Sequence, residues 1–165
     1  MRNLIQSYKN GRIPFSQVFE YLTSYLEDSR NSATIEIALA STASVLRIIF
    51  YEMPEVQGLI ELGEEVIDPL IYRIADDNLK NKQLSLTAYA YVLEILDAEE
   101  AIPVLIELAE EWKSSQDPFF ITYFLVRTLD VLTSDEETET SYKDYFESEF
   151  IESVIEKAED YLEHG

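Results

Sequence analysis

The strongest constraint on this chain is a phrase that occurs twice in it. LGEEVIDPLI at 62–71 lies over DAEEAIPVLI at 97–106, and Glu64/Glu99, Glu65/Glu100, Ile67/Ile102, Leu70/Leu105 and Ile71/Ile106 coincide. The offset from Glu64 to Glu99 is 35 residues, and self-similarity at such a period marks stacked supersecondary units. Each phrase also holds a proline. Proline has no N–H and clashes with the carbonyl four residues back, so a helix tolerates it only in its first turn. Pro69 and Pro103 therefore predict a helix start in each phrase, after short turns at 64–67 and 98–102. The glutamates just before them sit near a positive helix end, favourable by about 0.3–1 kcal/mol each.

Helical spacing runs through the rest of the chain, and no alternating run bounded by a hairpin turn competes with it. Phe15, Val18, Phe19, Leu22, Tyr25 and Leu26 form one apolar stripe. Ile35, Ala38, Leu39, Thr42, Val45, Leu46, Ile49 and Phe50 form a second, in a helix that Ser32 could cap. Pro54 opens a short third helix stopped by Gly63, and Ile67, Leu70, Ile71 and Ile74 line a fourth. A fifth over 81–96 points Leu84, Ala88, Tyr91, Val92 and Ile95 inward; a sixth buries Ile102, Leu105, Ile106, Ala109 and Trp112. Asp117 and Pro118 open a seventh with Ile121, Phe124, Leu125, Thr128, Leu129 and Leu132, and an eighth covers 146–162.

The repetition extends further. LEIL at 93–96 lies over LDVL at 129–132, and FIESVIEKA at 150–158 lies over AIPVLIELA at 101–109. The last offset, from Ile102 to Ile151, is 49 residues, 14 longer than 35. The acidic stretch SDEETETSYKDYFE at 134–147 has no apolar face and supplies those residues as an inserted loop.

These phrases resemble the second helix of HEAT-like repeats, of the kind also found in phycobilisome lyases. The resemblance is good across 54–133 and recoverable over 118–163. It implies an all-α fold, a short right-handed α-solenoid of about four helical hairpins whose units touch mainly their neighbours. Residues 1–53 become an N-terminal cap of two helices, and 54–165 the repeats, in one continuous domain. The Arg and Asp that often join neighbouring HEAT units have no clear counterpart here.

Charge bounds the function. The chain has 165 residues and a formal net charge of −21, with 12 bases and 33 acids. Residues 1–53 are neutral overall, so the acidity belongs to the later two-thirds. Such a surface repels phosphate backbones and anionic lipid and attracts basic proteins. This weighs against nucleic-acid and membrane partners, including the DNA-repair branch of HEAT-like proteins, which needs a basic concave face. No apolar run approaches the ~20 residues of a membrane span, and residues 1–12 are polar and mixed, so a cytoplasmic protein is expected.

Chemistry is thinly represented. There is no cysteine, and His164 is the one histidine, which leaves no nucleophile with a base beside it. The adjacent carboxylates Glu64 and Glu65, Asp76 and Asp77, Glu99 and Glu100, and Glu110 and Glu111 point apart on a helix and read as solvated faces. Asp135, Glu136, Glu137 and Glu139 lack the D-x-D-x-D-G spacing of a calcium loop. No catalytic residue, metal or cofactor is expected.

The aromatics are the remaining signal. Most fit the stripes, but Tyr72, Tyr89, Tyr91, Tyr123, Tyr142 and Tyr145 fall on or beside other faces. Tyrosine and arginine are favoured at interface centres, and tyrosines among carboxylates suit an arginine- or lysine-rich partner. If second helices line a concave face, as the resemblance implies, Tyr72, Arg73, Glu107, Glu110, Glu111, Glu152 and Glu156 are the candidate contact residues. The expected function is non-enzymatic: an adaptor or scaffold docking a basic protein or basic peptide segment. Three alternatives stand beside it. One is an inhibitor or immunity-type protein mimicking nucleic-acid charge. Another is a bilin lyase-like enzyme, by the family resemblance alone. The third is a structural part of a larger assembly.

Overall fold

A computed structural model describes residues 2–28, 43–76 and 83–114, with positions 124, 125, 128, 129, 131, 132, 156, 158, 160, 163 and 164. The complete elements are helical and in chain order are α1 (Arg2–Lys9), α2 (Phe15–Glu27), α3 (Ala43–Glu52), α4 (Pro54–Leu62), α5 (Ile67–Ile74), α6 (Gln83–Ile95) and α7 (Ile102–Ser114). Among the described residues there is no strand. No helix among them is long and apolar enough to cross a membrane. The protein is all-helical. The expected Ser32 cap, the opening of the seventh helix at Asp117 and Pro118, and the loop at 134–147 lie outside the described residues.

The expected prolines work as the physics requires. Pro54 is the first residue of α4, Pro69 the third of α5 and Pro103 the second of α7, all positions where a missing N–H has no helical partner to lose. A turn of 3-10 helix precedes α5 at Gly63–Val66, and another precedes α7 at Glu99–Ala101. Most matching residues share their fates, although Ile71 is half-buried where Ile106 is buried. Val66 and Ala101, Ile67 and Ile102, Leu70 and Leu105, and Ile74 and Ala109 are buried; Asp68 and Pro103, Tyr72 and Glu107, and Asp76 and Glu111 are exposed. The corresponding helices also associate: α4 packs on α6, α5 on α6, and α5 on α7.

Among the described residues, the N-terminal region holds α1 in addition to the two helices that the sequence stripes suggested. α1 is only eight residues and polar overall, so its apolar face of Leu4, Ile5 and Tyr8 is easily overlooked. Ile5 is buried and helps seat α1 against α2 and α4. Gly58 of α4 lies at this crossing. A Cβ there would come within 3.1 Å of the Ile5 Cδ1 atom and 3.3 Å of Leu22 Cδ2, so the bare backbone is what lets the helices approach.

α6 is the centre of the core. Every residue from Ser85 to Glu94 is buried, and α2, α3, α4 and α5 all pack against it. This corrects two expectations. A helix enclosed on all sides has no outward tyrosine, so Tyr89 is buried rather than lying on a free face, and Tyr91 is buried as its place in the inward set of this helix expected. Ile95, expected inward, is largely exposed because α6 ends there. Tyr25, placed in the α2 stripe, also keeps its edge in solvent.

α6 stops in a Schellman arrangement. The Ala98 N–H donates to the Leu93 carbonyl at 3.0 Å and the Asp97 N–H to that of Glu94 at 3.1 Å, with Asp97 left-handed at φ 53°. α1 ends the same way at Gly11, φ 74°. Asp97 combines a side chain that disfavours this conformation with an anion at the negative end of a helix. Replacing Asp97 with Gly is expected to raise stability by about 1 kcal/mol, and Asp97→Asn to recover only the charge part. Urea unfolding of the three proteins checks this; a Gly variant less stable than wild type refutes it.

Candidate functional site

Two partly buried ion pairs organise the polar groups nearest α6. In the first, Glu27 at the end of α2 accepts from Arg73 of α5, Nε to Oε2 at 2.8 Å and Nη2 to Oε1 at 2.5 Å. The Tyr89 hydroxyl of α6 donates to the same carboxylate. In the second, Arg47 of α3 meets Glu94 of α6 with both Nη atoms, Nη1 to Oε1 at 2.8 Å. Thr128 Oγ1 donates to Glu94 at 3.3 Å. The Arg47 guanidinium also lies 5.3 Å from the ring centre of Tyr91 and 5.9 Å from that of Phe124, within cation–π range. The Glu94 side chain is 3% exposed and that of Glu27 9%. Carboxylates with so little exposure need hydrogen-bond donors, and each of these receives the fork of a guanidinium.

These environments shift the neighbouring groups. Burial pushes the Tyr89 phenol well above its ordinary value, and its bond to Glu27 pushes the same way. The hydrogen bond to Glu27 raises Arg73 further into permanent charge. Burial likewise raises Tyr91. At the surface, the Tyr8 hydroxyl donates to Glu65, which raises Tyr8, and Lys9 bonds Glu61 at 3.0 Å. Those contacts tie α1 to α4 and the turn that follows it.

The candidate contact residues separate into two kinds. Tyr72 is 83% exposed on α5, and Glu107, Glu110 and Glu111 are exposed on α7. Tyr72 and Glu107 occupy equivalent positions of two helices that pack side by side, and Asp68 adds an acid one turn before Tyr72. Glu156 is exposed, and Glu152 lies outside the described residues. Arg73 is different: its side chain turns inward to Glu27 and Tyr89. Removing it would strand a buried carboxylate, a change that typically costs about 3–5 kcal/mol, so its loss reports on folding.

Among the described residues no group of three or more His, Asp or Glu side chains converges as a metal site. The segment with Asp135, Glu136, Glu137 and Glu139 lies outside them, and His164 is exposed. A shallow hollow of about 500 Å³ runs over the outer side of α2 among Gln17, Glu20, Tyr21, Ser24, Tyr25 and Asp28. It holds carboxylates and hydroxyls, and the Ser24 hydroxyl donates to Glu20 at 3.3 Å on the exposed face of the helix. The roles of Glu27, Arg47 and Glu94 were missed in the sequence. A lone charge inside an apolar run, as in VLRIIF and YVLEIL, was the available signal, because such a charge must find a partner when its helix is buried.

No family model matches the chain, and no curated protein or solved structure is significantly similar to it.

The shift of Tyr89 gives a testable pH dependence. Below about pH 10, the ordinary tyrosine value, folded and unfolded chains both keep the phenol proton, and the full contribution is present. Above it the unfolded chain loses the proton while the folded chain retains it, so stability falls as pH rises towards the raised folded value. Tyr89→Phe is expected to cost roughly 1.5–3 kcal/mol near pH 8, the range for a hydrogen bond to a charged group. It should also flatten the decline between pH 9.5 and about 11. Urea midpoints across that range read both effects; an unchanged alkaline slope in the variant refutes the assignment.

Proposed function

We propose that this chain is a non-enzymatic protein-interaction module, an adaptor or scaffold, that docks a basic protein or basic peptide segment on the outer faces of α5 and α7. The observation that carries this is a local imbalance of charge. Among the described residues between 54 and 111, the one base is Arg73, and it is committed to Glu27 inside the fold. Exposed acids there include Asp68, Glu99, Glu100 and Glu107, and no other described residue of the same stretch is a base. Tyr72, one turn after Asp68 on α5, is an uncovered aromatic face suited to an arginine or lysine of the partner. The pairing of α5 with α7, the paired 3-10 turns and the 35-residue offset support a short right-handed HEAT-like α-solenoid as the scaffold.

A second reading, an inhibitor that mimics nucleic-acid charge, is favoured by the net charge of −21. One experiment tests both. The tagged chain is used to capture partners from lysate of its source cell, with elution in salt steps, and each recovered protein is rebound in purified form to variants. Tyr72→Ala is expected to weaken binding about tenfold, as for an interface tyrosine. Asp68→Asn with Glu107→Gln should weaken it a few-fold, roughly 0.2–1 kcal/mol per exposed pair, and more at low salt than at high. A captured nuclease whose activity is blocked selects the inhibitor. Binding that survives all three substitutions at every salt concentration rejects this face.

A further inference from the structure

We propose that the outer face of α2 is a self-association surface, on which a second copy of this chain docks with its own α2 antiparallel to the first. The contact is separate from the outer faces of α5 and α7 and stands whatever they bind. It starts from where charge and apolar area fall in the chain. Residues 1–53 carry five acids and five bases, so the whole net charge of −21 belongs to residues 54–165. Two copies of such a chain repel each other least across the neutral third. That third also holds most of the uncovered apolar area. Of the six large apolar or aromatic side chains that stand well exposed among the described residues, Tyr21, Tyr25, Ile48 and Tyr51 lie in it.

Within that third, α2 complements itself. Tyr21 is the middle of its 13 residues, and Tyr25 follows one turn later on the same hollow face as Gln17 and Asp28. A two-fold axis through Tyr21 brings the two Tyr21 rings together and sets Tyr25 of each copy opposite Gln17 of the other, an aromatic centre with polar flanks. The ends match as well. α2 has no acid in its first turn and no base in its last; its N-cap, Pro14, makes no side-chain cap, and its C-cap is Asp28, an anion at the negative end of the helix. Antiparallel pairing carries Asp28 of each copy to the positive end of the other helix, opposite Pro14 and two residues from exposed Arg12. Charges that oppose the dipole of their own helix thus favour a second α2. The contact is weak, because Glu20 near the middle meets its own counterpart. One helix, about 20 Å long and 10 Å wide, also covers well under the roughly 800 Å² per partner of a tight complex.

Sedimentation equilibrium of the full chain tests this, from micromolar to millimolar concentration in about 0.15 M salt, which screens the acidic remainder. A monomer–dimer equilibrium is expected; a monomer throughout overturns the proposal. Tyr21→Glu is expected to weaken the dimer by about tenfold or more, and Tyr51→Glu on α3 to leave it unchanged. A dimer that Tyr21→Glu leaves intact overturns the proposal. Arg12→Asp and Asp28→Arg are each expected to weaken self-association, because like charges then face each other at both ends. Mixing the two variants is expected to restore the dimer as a heterodimer with both ends paired, an outcome that only an antiparallel α2 contact produces. A mixture no tighter than either variant alone overturns that pairing. Tyr21, Tyr51 and Arg12 are exposed and Asp28 follows the last residue of α2, so these substitutions leave the core untouched.

Discussion

A helix enclosed on every side has to take its polar neighbours into the interior with it, and α6 sets that condition for the whole fold. The segment from Ser85 to Glu94 touches four other helices and carries Tyr89 and Glu94. Neither polar group can reach bulk water, so each needs a partner from a surrounding helix. Glu27 and Arg73 answer the first and Arg47 the second. The positions of α2, α3 and α5 around α6 are thus tied to hydrogen-bonding requirements as well as to apolar contact.

That internal demand shapes the exterior. Arg47 and Arg73 face carboxylates inside the molecule, so they offer little screening to the acids on the outer helical faces. A count of formal charge treats every base as a surface base. Here Arg73 stands beside exposed Tyr72 in sequence, yet the two side chains serve opposite sides of α5. The inward member joins helices; the outward member is left among acids. An acidic surface and a polar interior are two consequences of one allocation of charge.

Much of the local structure was legible in the residues because its causes are local. Pro54, Pro69 and Pro103 fixed helix starts through a missing N–H and a ring clash, and the turns before α5 and α7 fell where the paired phrases placed them. The stripes of α2, α5 and α7 followed from helical period, and Val18, Leu22, Leu70 and Leu105 are buried accordingly. What could not be read depended on distant partners. Periodicity assigned α6 one inward face, whereas its enclosure is set by helices from three other parts of the chain. Glu27 and Arg73 are 46 residues apart and Arg47 and Glu94 are 47, and no local rule joins such pairs. At the candidate face, exposure of Tyr72 and Glu107 followed from their place opposite the buried stripe, while the inward turn of Arg73 was hidden for the same reason as the ion pairs.

Tyr72 and Tyr89 show how far residue type alone determines role. Both are tyrosines on helices that pack together, α5 and α6, and each could bury a large ring if its hydroxyl found a partner. Tyr89 has one, because α2 ends with Glu27 beside it. Burial then favours the neutral phenol, and the ring becomes part of the core. Tyr72 projects from the face of α5 opposite Leu70 and Ile74, where the described helices place nothing over it. Its ring stays in water, an arrangement in which apolar area remains available for contact with another molecule. The difference lies in whether the fold supplies an acceptor at the right height, and that geometric fact divides Tyr89, which builds the core, from Tyr72, the most exposed of the described tyrosines.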